Sequence, residues 1–156
     1  MDKLEIMSRE ILFLCTGNYY RSRFAEILFN ELVKKAGMDY VARSRALAIE
    51  VGIFNIGAIS SHTRRALERR GIALPERLAL PRQCDEVDLQ GAYRIIALKE
   101  AEHRPYLTER YPDWPDRVQY WHVHDLDKSG PEAALGEIEE NVIGLIEELK
   151  REASGD

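Results

Sequence analysis

The chain has 156 residues, of which 45% are hydrophobic and 31% are charged. This length suits one domain with a substantial core, and this composition is too apolar for a disordered chain and too charged for a membrane-embedded one. The formal net charge of -5 argues against a general binder of nucleic acid or of anionic membranes. We therefore expect residues 1–156 to form a single domain, in which any anion site is local.

The chain contains only two cysteines, Cys15 and Cys84. Two cysteines this far apart are too few for a secreted disulfide scaffold or a cysteine-rich zinc module. The apolar run at residues 11–14 is too short for the core of a signal sequence or for a membrane span. The sequence therefore favours a reducing, cytoplasmic setting, with neither a membrane nor a nucleic acid as partner.

Apolar periodicity in the first third of the chain predicts a strand, a helix and a second strand. The uninterrupted apolar run at residues 11–14 is typical of a strand buried on both faces of a parallel sheet. After a short polar loop, apolar residues recur at helical spacing and predict an amphipathic helix that Gly37 ends. The residues with this spacing are Phe24, Leu28 and Leu32. Residues 40–44 predict a second strand.

The middle of the chain predicts a short helix, a loop and a third strand. Ser60 or Ser61 is suited to cap a helix that runs to Gly71. Residues 72–84 contain two prolines and predict mostly loop. Residues 93–98, with the sequence YRIIAL, predict a third buried strand.

The last third of the chain predicts two helices around a fourth strand. A polar helix begins near Glu100, with Pro105 placed to interrupt it and Pro112 to end it. Residues 118–123 predict the fourth strand. Pro131 suits the first position of a final helix whose apolar stripe continues to the C-terminus. This stripe consists of Leu135, Ile138, Val142, Leu145 and Leu149.

Strands that alternate with helices are typical of an α/β fold with a parallel sheet. We expect one three-layer, doubly wound domain with a four-stranded parallel sheet. Ligands of such folds lie beyond the carboxyl ends of the strands, so the loop after the first strand is the first candidate site.

That loop begins with a cysteine and leads into a helix. Residues 15–22 read Cys-Thr-Gly-Asn-Tyr-Tyr-Arg-Ser. Gly17 and Asn18 tolerate unusual backbone dihedral angles, and a helix that begins near Ser22 directs several backbone N–H groups at one point. That point suits an anion, and the same field favours a thiolate at Cys15.

Arg21 has a clear task beside such an anion. Its planar, permanently charged fork can bind two oxygens of a tetrahedral oxyanion, which a lysine does less specifically. The Cys-x5-Arg spacing is weak evidence by itself, and its context after a strand and before a helix strengthens it. The alternative is a buried structural cysteine with Arg21 as a solvated residue at a helix start.

The sequence resembles a known family along nearly its whole length. The segment LFLCTGNYYRSRFAE, residues 12–26, is similar to the first strand, phosphate-binding loop and first helix of the low-molecular-weight protein tyrosine phosphatases and the related arsenate reductases. Ser44 matches the end of a short strand in that family, and residues 94–98 resemble its central strand. Residues 121–127, WHVHDLD, resemble its acid loop.

The resemblance implies a role for each residue of the loop. Cys15 is implied as the nucleophile, Arg21 as the phosphate clamp and Asp125 as the general acid. Ser22 is implied as a hydrogen-bond donor to the thiolate, and Asn18 as a residue that shapes the loop. The residues expected to contact the substrate are Thr16, Gly17, Asn18, Tyr19, Tyr20 and Ser22.

Three positions depart from the family pattern. Tyr20 stands where many members have a second cysteine, so the protective disulfide of those members cannot form here. Tyr19 occupies a pocket-lining position that is aliphatic in tyrosine-directed members and threonine in arginine-phosphate-directed ones. The acid loop usually reads Asp-Pro, whereas here Asp125 is followed by Leu126 and Asp127, so Asp127 is a second candidate for the acid.

These residues predict a phosphomonoester hydrolase that acts through a phosphocysteine. The leaving oxygen departs with charge that a positioned carboxylic acid can neutralise. No metal or other cofactor is expected, because the loop amides and Arg21 supply the positive field. The alternatives are a thiol-dependent arsenate reductase, for which Cys84 is the only further cysteine, and a non-catalytic module that binds a phosphorylated ligand.

Two further clusters have alternative interpretations. His122 and His124 could ligate a metal together with Asp125 and Asp127, although few other ligand types lie nearby in sequence. Cys84 is interpreted as a small buried residue, with a resolving thiol for Cys15 as the alternative. The expected partner is a phosphorylated protein or a small phosphomonoester, and the expected assembly is a monomer or weak dimer.

Overall fold

A four-stranded parallel sheet organises the chain in the computed structural model, which describes residues 9–123 and 126–155. Its strands are β1 (Arg9–Cys15), β2 (Tyr40–Ala46), β3 (Arg94–Ala97) and β4 (Gln119–Tyr120), in the spatial order β2-β1-β3-β4. Every neighbouring pair is parallel. The chain leaves β1 toward β2 and later returns to β3 on the other side, so the end of β1 lies at the switch point where such sheets bind ligands.

Helices cover both faces of the sheet and complete the predicted three layers. The described helices are α1 (Arg21–Lys35), α2 (Ser61–Arg69), α3 (Glu86–Gly91), α4 (Glu100–Arg110) and α5 (Leu126–Ala153), with short 3-10 turns at Ile49–Gly52 and Pro115–Arg117. One apolar core joins the sheet to α1, α2 and α5, and a second joins it to α3 and α4. The predicted fold class is confirmed. Within the described ranges, no helix combines the length and apolar character that a membrane crossing needs.

Strand β1 is buried on both faces, as its apolar run predicts. Ile11 and Phe13 belong to the core on the α1 side, whereas Leu12 and Leu14 belong to the core on the α4 side. Alternate side chains of a strand point to opposite faces, so four consecutive apolar residues satisfy both cores. This burial fixes the position of Cys15, the last residue of the strand.

Two helical segments begin at the residues that the sequence predicts. The Ser60 side chain accepts a hydrogen bond from the backbone N–H of Thr63 at the start of α2, as an N-cap does. Gly130 interrupts α5 with a positive φ of 79°, and Pro131 is the first residue of the long part that follows. Proline at this position loses no helical hydrogen bond, because the first N–H groups of a helix have no partner within it.

Two predicted elements differ from the structure. The fourth strand spans only two residues rather than 118–123, because the chain turns after it so that His122 forms an isolated antiparallel bridge with Lys99. Pro105 does not interrupt α4, although it removes one backbone donor. His103 and Leu107, on either side of it, are completely buried, and this packing keeps the helix continuous.

Helix α3 was not predicted, because it has six residues and only Leu89 is buried. Its stability comes from polar contacts at its start. Asp85 and Asp88 form a reciprocal capping box, and Asp88 also pairs with Arg45 of β2 at 3.1 Å. A polar cap joined to a neighbouring strand leaves no apolar periodicity in the sequence.

Substitutions of two isoleucines in α5 test how the core depends on this helix. Ile138 is completely buried, whereas Ile143 is 46% exposed. We expect Ile138→Ala to lower the free energy of unfolding by about 2–5 kcal/mol, because it leaves a cavity. Ile143→Ala should change it by no more than about 0.5 kcal/mol. Urea unfolding followed by circular dichroism measures both, and equal losses would contradict the assigned packing.

Candidate active site

Cys15 ends β1 with its sulfur against the first turn of α1. Its Sγ lies 2.9 Å from the Ser22 Oγ, and both residues are buried. The Asn18 Nδ2 donates a hydrogen bond to the same hydroxyl oxygen at 3.1 Å. Since Ser22 accepts from Asn18, its own proton is free to point at the sulfur. This arrangement suits stabilisation of a thiolate.

Asn18 shapes the loop through its backbone and its side chain. Its φ is 52°, a left-handed conformation that asparagine tolerates better than most residues. Its Nδ2 also donates to the Ser44 Oγ at 2.9 Å, and its Oδ1 accepts from the backbone N–H of Arg82 at 3.0 Å. One buried amide therefore ties the loop to α1, to β2 and to the segment that precedes Cys84.

The backbone donors of the loop have no hydrogen-bond partner within the described protein. Within residues 9–123 and 126–155, the N–H groups of residues 16–20 make no hydrogen bond. Helix α1 begins without a side-chain cap and without an acidic residue in its first turn. Unpaired amides and a helix N-terminus create a positive field, so the space beside Cys15 suits an anion.

Arg21 lies at the end of the loop and pairs with Glu102 of α4. Its Nη2 donates to the Glu102 Oε2 at 2.7 Å, and the Thr16 hydroxyl donates to the same oxygen. Burial alone would lower the pKa of Arg21, but the contacts with Glu102 raise it, so the guanidinium stays charged. No sequence motif marks Glu102, which lies on a polar helix far from the loop in sequence.

A completely buried histidine lies beside Glu102. The His103 Nδ1 accepts the backbone N–H of Lys99 at 3.0 Å, so the proton of the neutral ring is on Nε2. This nitrogen lies 3.2 Å from the Glu102 Oε2, outside the alignment of a directed hydrogen bond. Burial lowers the pKa of His103 and keeps the ring neutral.

The charge of Glu102 is stabilised by these contacts. Burial alone would raise the pKa of its carboxyl, but His103, Arg21 and Thr16 outweigh that effect and hold the pKa well below its usual range. Glu102 is therefore a carboxylate near neutral pH. A fixed negative charge stands next to the predicted phosphate clamp.

The two tyrosines of the loop contact neighbouring segments. The Tyr19 hydroxyl donates to the carbonyl oxygen of Ile56 at 2.7 Å, and the Tyr20 hydroxyl donates to that of Pro131 at 3.3 Å. Burial raises the pKa of Tyr20 to about 12, so it remains a neutral donor. Their backbone amides, rather than their hydroxyls, are the groups available to an anion above Cys15.

The predicted acid lies outside the described residues. This applies to Asp125 and to His124, and Asp127 falls in the first turn of α5, where the side chains are not described. The His122 side chain is 75% exposed, with its Nε2 3.7 Å from a Glu100 oxygen. The described residues contain no cluster of three potential metal ligands, and the suggested cluster around His122 stays a hypothesis.

Cys84 has the environment of a structural cysteine. It is 3% exposed, and burial raises the pKa of its thiol to about 12. The pairing of Ala46 with both Cys15 and Gln83 places β2 between the two cysteines. A resolving role for Cys84 has no support from this geometry.

Comparisons with known proteins agree with the fold. Residues 10–154 match the model of the low molecular weight phosphotyrosine protein phosphatase family. The low molecular weight protein-tyrosine-phosphatase YfkJ of Bacillus subtilis is 36% identical over 89 residues, which span 56% of this chain and 54% of that protein. A protein-arginine-phosphatase of the same organism is 28% identical over 111 residues, 70% of this chain and 67% of that protein.

A crystal structure of YfkJ from Bacillus subtilis shares the whole architecture. It superposes with a TM-score of 0.77 at 26% sequence identity and covers 93% of this chain and 96% of the compared chain. The similarity therefore extends from β1 to α5 and is not confined to the loop.

Alkylation distinguishes the two cysteines. With a pKa of about 12, the thiolate fraction of Cys84 near neutral pH is roughly 10⁻⁴ or less, so iodoacetamide should leave it unmodified in the folded protein. Cys15 should react, and inorganic phosphate should protect it. Mass spectrometry of the native and the urea-unfolded protein measures both sites, and Cys15→Ser is the control. Rapid native modification of Cys84 would contradict its structural role.

Proposed function

The chain belongs to the low molecular weight phosphotyrosine protein phosphatase family, and we propose that it hydrolyses phosphomonoesters through a phosphocysteine on Cys15. The observation that carries this proposal is the arrangement around the Cys15 sulfur. The amides of the loop that starts at Cys15 are unpaired in the described protein, Arg21 ends the loop, and the Ser22 hydroxyl lies 2.9 Å from the sulfur, which supports a site for the phosphate oxygens beside a thiolate. Such a site holds a tetrahedral anion in line with a nucleophile.

The first step of the proposed reaction transfers the phosphoryl group to the enzyme. The Cys15 thiolate attacks phosphorus, a sulfur–phosphorus bond forms and the bond to the leaving oxygen breaks. Asp125 gives its proton to that oxygen, so no alkoxide or phenoxide is released. The loop amides and Arg21 stabilise the charge on the equatorial oxygens.

The second step restores the thiolate. Asp125, now a carboxylate, takes a proton from water, whose oxygen attacks phosphorus as the sulfur–phosphorus bond breaks. Inorganic phosphate leaves. Because the positive field comes from amides and Arg21, no metal or other cofactor enters the proposed reaction.

Exposed apolar side chains near the loop favour a protein as the substrate. The segment that Tyr19 contacts carries strongly exposed apolar side chains, namely Val51, Ile53, Phe54 and Ile56. The proposed substrate is a phosphorylated protein, with a small phosphomonoester as the simpler alternative. Similar proteins are named as a protein-tyrosine-phosphatase and as a protein-arginine-phosphatase, so a substrate screen should include both phosphotyrosine and phosphoarginine.

The proposed enzyme is a single domain that acts in the cytoplasm. Residues 1–156 would act as one domain, as a monomer or weak dimer. The cytoplasm is the proposed location, since a reducing compartment keeps Cys15 as a thiol. An arsenate reductase is less well supported, because the one further cysteine is buried with a raised pKa.

Substitution of Cys15 and Arg21 tests the proposed mechanism. We expect Cys15→Ser to abolish hydrolysis of para-nitrophenyl phosphate while vanadate still binds, because the anion site remains without its nucleophile. Arg21→Lys should also lose most activity, because a point charge cannot reproduce the two-pronged contact. Assays in a chelator test independence from metals at the same time.

Three results would contradict these expectations. Turnover by Cys15→Ser at the wild-type rate would end the covalent mechanism, and absence of turnover in the wild type with intact vanadate binding would favour a binding module. Loss of activity on chelation, restored by zinc or manganese, would instead support the cluster around His122.

The acid is tested with substrates whose leaving groups differ in pKa. If Asp125 protonates the leaving oxygen, Asp125→Asn should slow turnover of poor leaving groups by about 10²–10⁴-fold and that of activated aryl phosphates much less. Asp127→Asn is the matched control and should have a small effect. A leaving-group dependence that changes only in Asp127→Asn would transfer the role to Asp127.

A further inference from the structure

Glu102, in the first turn of α4, contacts both ends of the phosphate-binding loop. One of its oxygens, Oε2, accepts from the hydroxyl of Thr16, which follows Cys15, and from the Nη2 of Arg21, at the far end. We propose that Glu102 is a positioning residue that orients Arg21 for the transition state of phosphoryl transfer. This inference rests on the proposed function and assigns to the reaction a residue outside the loop.

The contact leaves most of the guanidinium available. Only Nη2 of Arg21 bonds to Glu102, and across the described ranges its Nε and Nη1 meet no acceptor. The carboxylate thus fixes the rotation of the planar group through one nitrogen. The second N–H of Nη2 remains available, and together with the N–H of Nε or of Nη1 it has the fixed spacing that two phosphate oxygens require.

The support behind Glu102 is rigid. It stands on a helix, and its neighbour His103 is completely buried with its Nε2 3.2 Å from the same oxygen. The other nitrogen of His103 holds the backbone N–H of Lys99, at the start of α4. Groups held by packing and by further hydrogen bonds keep the precision that catalysis needs better than groups on free side chains.

Because Glu102 is negatively charged, a role in orienting Arg21 can be distinguished from a role in binding phosphate. A carboxylate beside a phosphate dianion repels it, so Glu102 should not strengthen ground-state binding. Its benefit must appear where the orientation of Arg21 matters most, in the transition state. Loss of Glu102 should therefore lower kcat and leave KM and phosphate inhibition almost unchanged.

The experiment uses three variants of Glu102 and a matched control on the same helix. We expect Glu102→Ala to lower kcat about 10–100-fold with KM for para-nitrophenyl phosphate within about 3-fold. Glu102→Gln retains an oxygen acceptor for Arg21 and should recover part of this loss, whereas Glu102→Asp is too short to reach both donors. Glu109→Ala removes an exposed charge from α4 and should behave as the wild type.

Inhibitors give a second readout that a structural role would not produce. Vanadate adopts the trigonal bipyramidal geometry of the transition state, and phosphate does not. Affinity for vanadate should fall at least about 10-fold in Glu102→Ala, while affinity for phosphate should hold or rise. In an Arg21→Lys background the effect of Glu102→Ala on vanadate should largely vanish, because the two residues act as one unit.

Three results would overturn the inference. One is an unchanged kcat in Glu102→Ala, counted per folded active site, with only a lower thermal stability. Another is a rise in KM and a weaker affinity for phosphate at constant kcat, which would make Glu102 a binding residue. The third is tighter phosphate binding with a higher kcat, which would make Glu102 a competitor for Arg21. If the alanine variant does not fold, Glu102→Gln carries the same comparison, and wild-type turnover tests the proposed function separately.

Discussion

The buried amide of Asn18 is the interaction on which the site depends. A loop whose N–H groups are unpaired cannot hold its own shape, and the three hydrogen bonds of this amide replace the missing ladder. They also leave the hydroxyl protons of Ser22 and Ser44 available for other acceptors. Ser44 accepts from Asn18 and donates to Glu26 at 2.5 Å, while Ser22 accepts from Asn18 and faces Cys15. An unsatisfied partner in this network would cost about 1–3 kcal/mol, so loss of any one of these hydrogen bonds should destabilise the loop.

The unpaired amides of the loop also determine where positive charge lies. A protein with a net charge of -5 concentrates positive potential at one point by leaving amides unpaired and by starting α1 without an acidic residue. Arg21 adds a full charge, which Glu102 neutralises in part before any substrate arrives. The positive field therefore has two sources, the uncharged backbone amides and the guanidinium of Arg21, which Glu102 holds.

The sequence predicts those parts of the molecule whose determinants are local. The apolar run of β1, the stripe of α5 and the loop from Cys15 to Arg21 each depend on spacing within a short segment, and the structure contains all three. Helix α3 and Glu102 depend on partners more than 40 residues away, namely Arg45 for the helix and Thr16 and Arg21 for the glutamate. Nothing in the polar sequence of α4 separates Glu102 from its other acidic residues. Only the packing of α4 against the loop gives Glu102 its contacts with Thr16 and Arg21.

The two thiols, Cys15 and Cys84, lie too far apart to form a disulfide. Residues 82–84 lie along the outer side of β2, and Cys15 lies along its inner side, so the backbone of Cys84 is about 10 Å from that of Cys15 at a strand spacing of about 4.8 Å. A disulfide needs a Cα separation below about 7 Å. Next to Arg21, Tyr20 uses its hydroxyl to join the loop to Pro131 of α5. This position therefore holds the loop against α5, and neither Tyr20 nor the distant Cys84 offers Cys15 a thiol with which to form a disulfide.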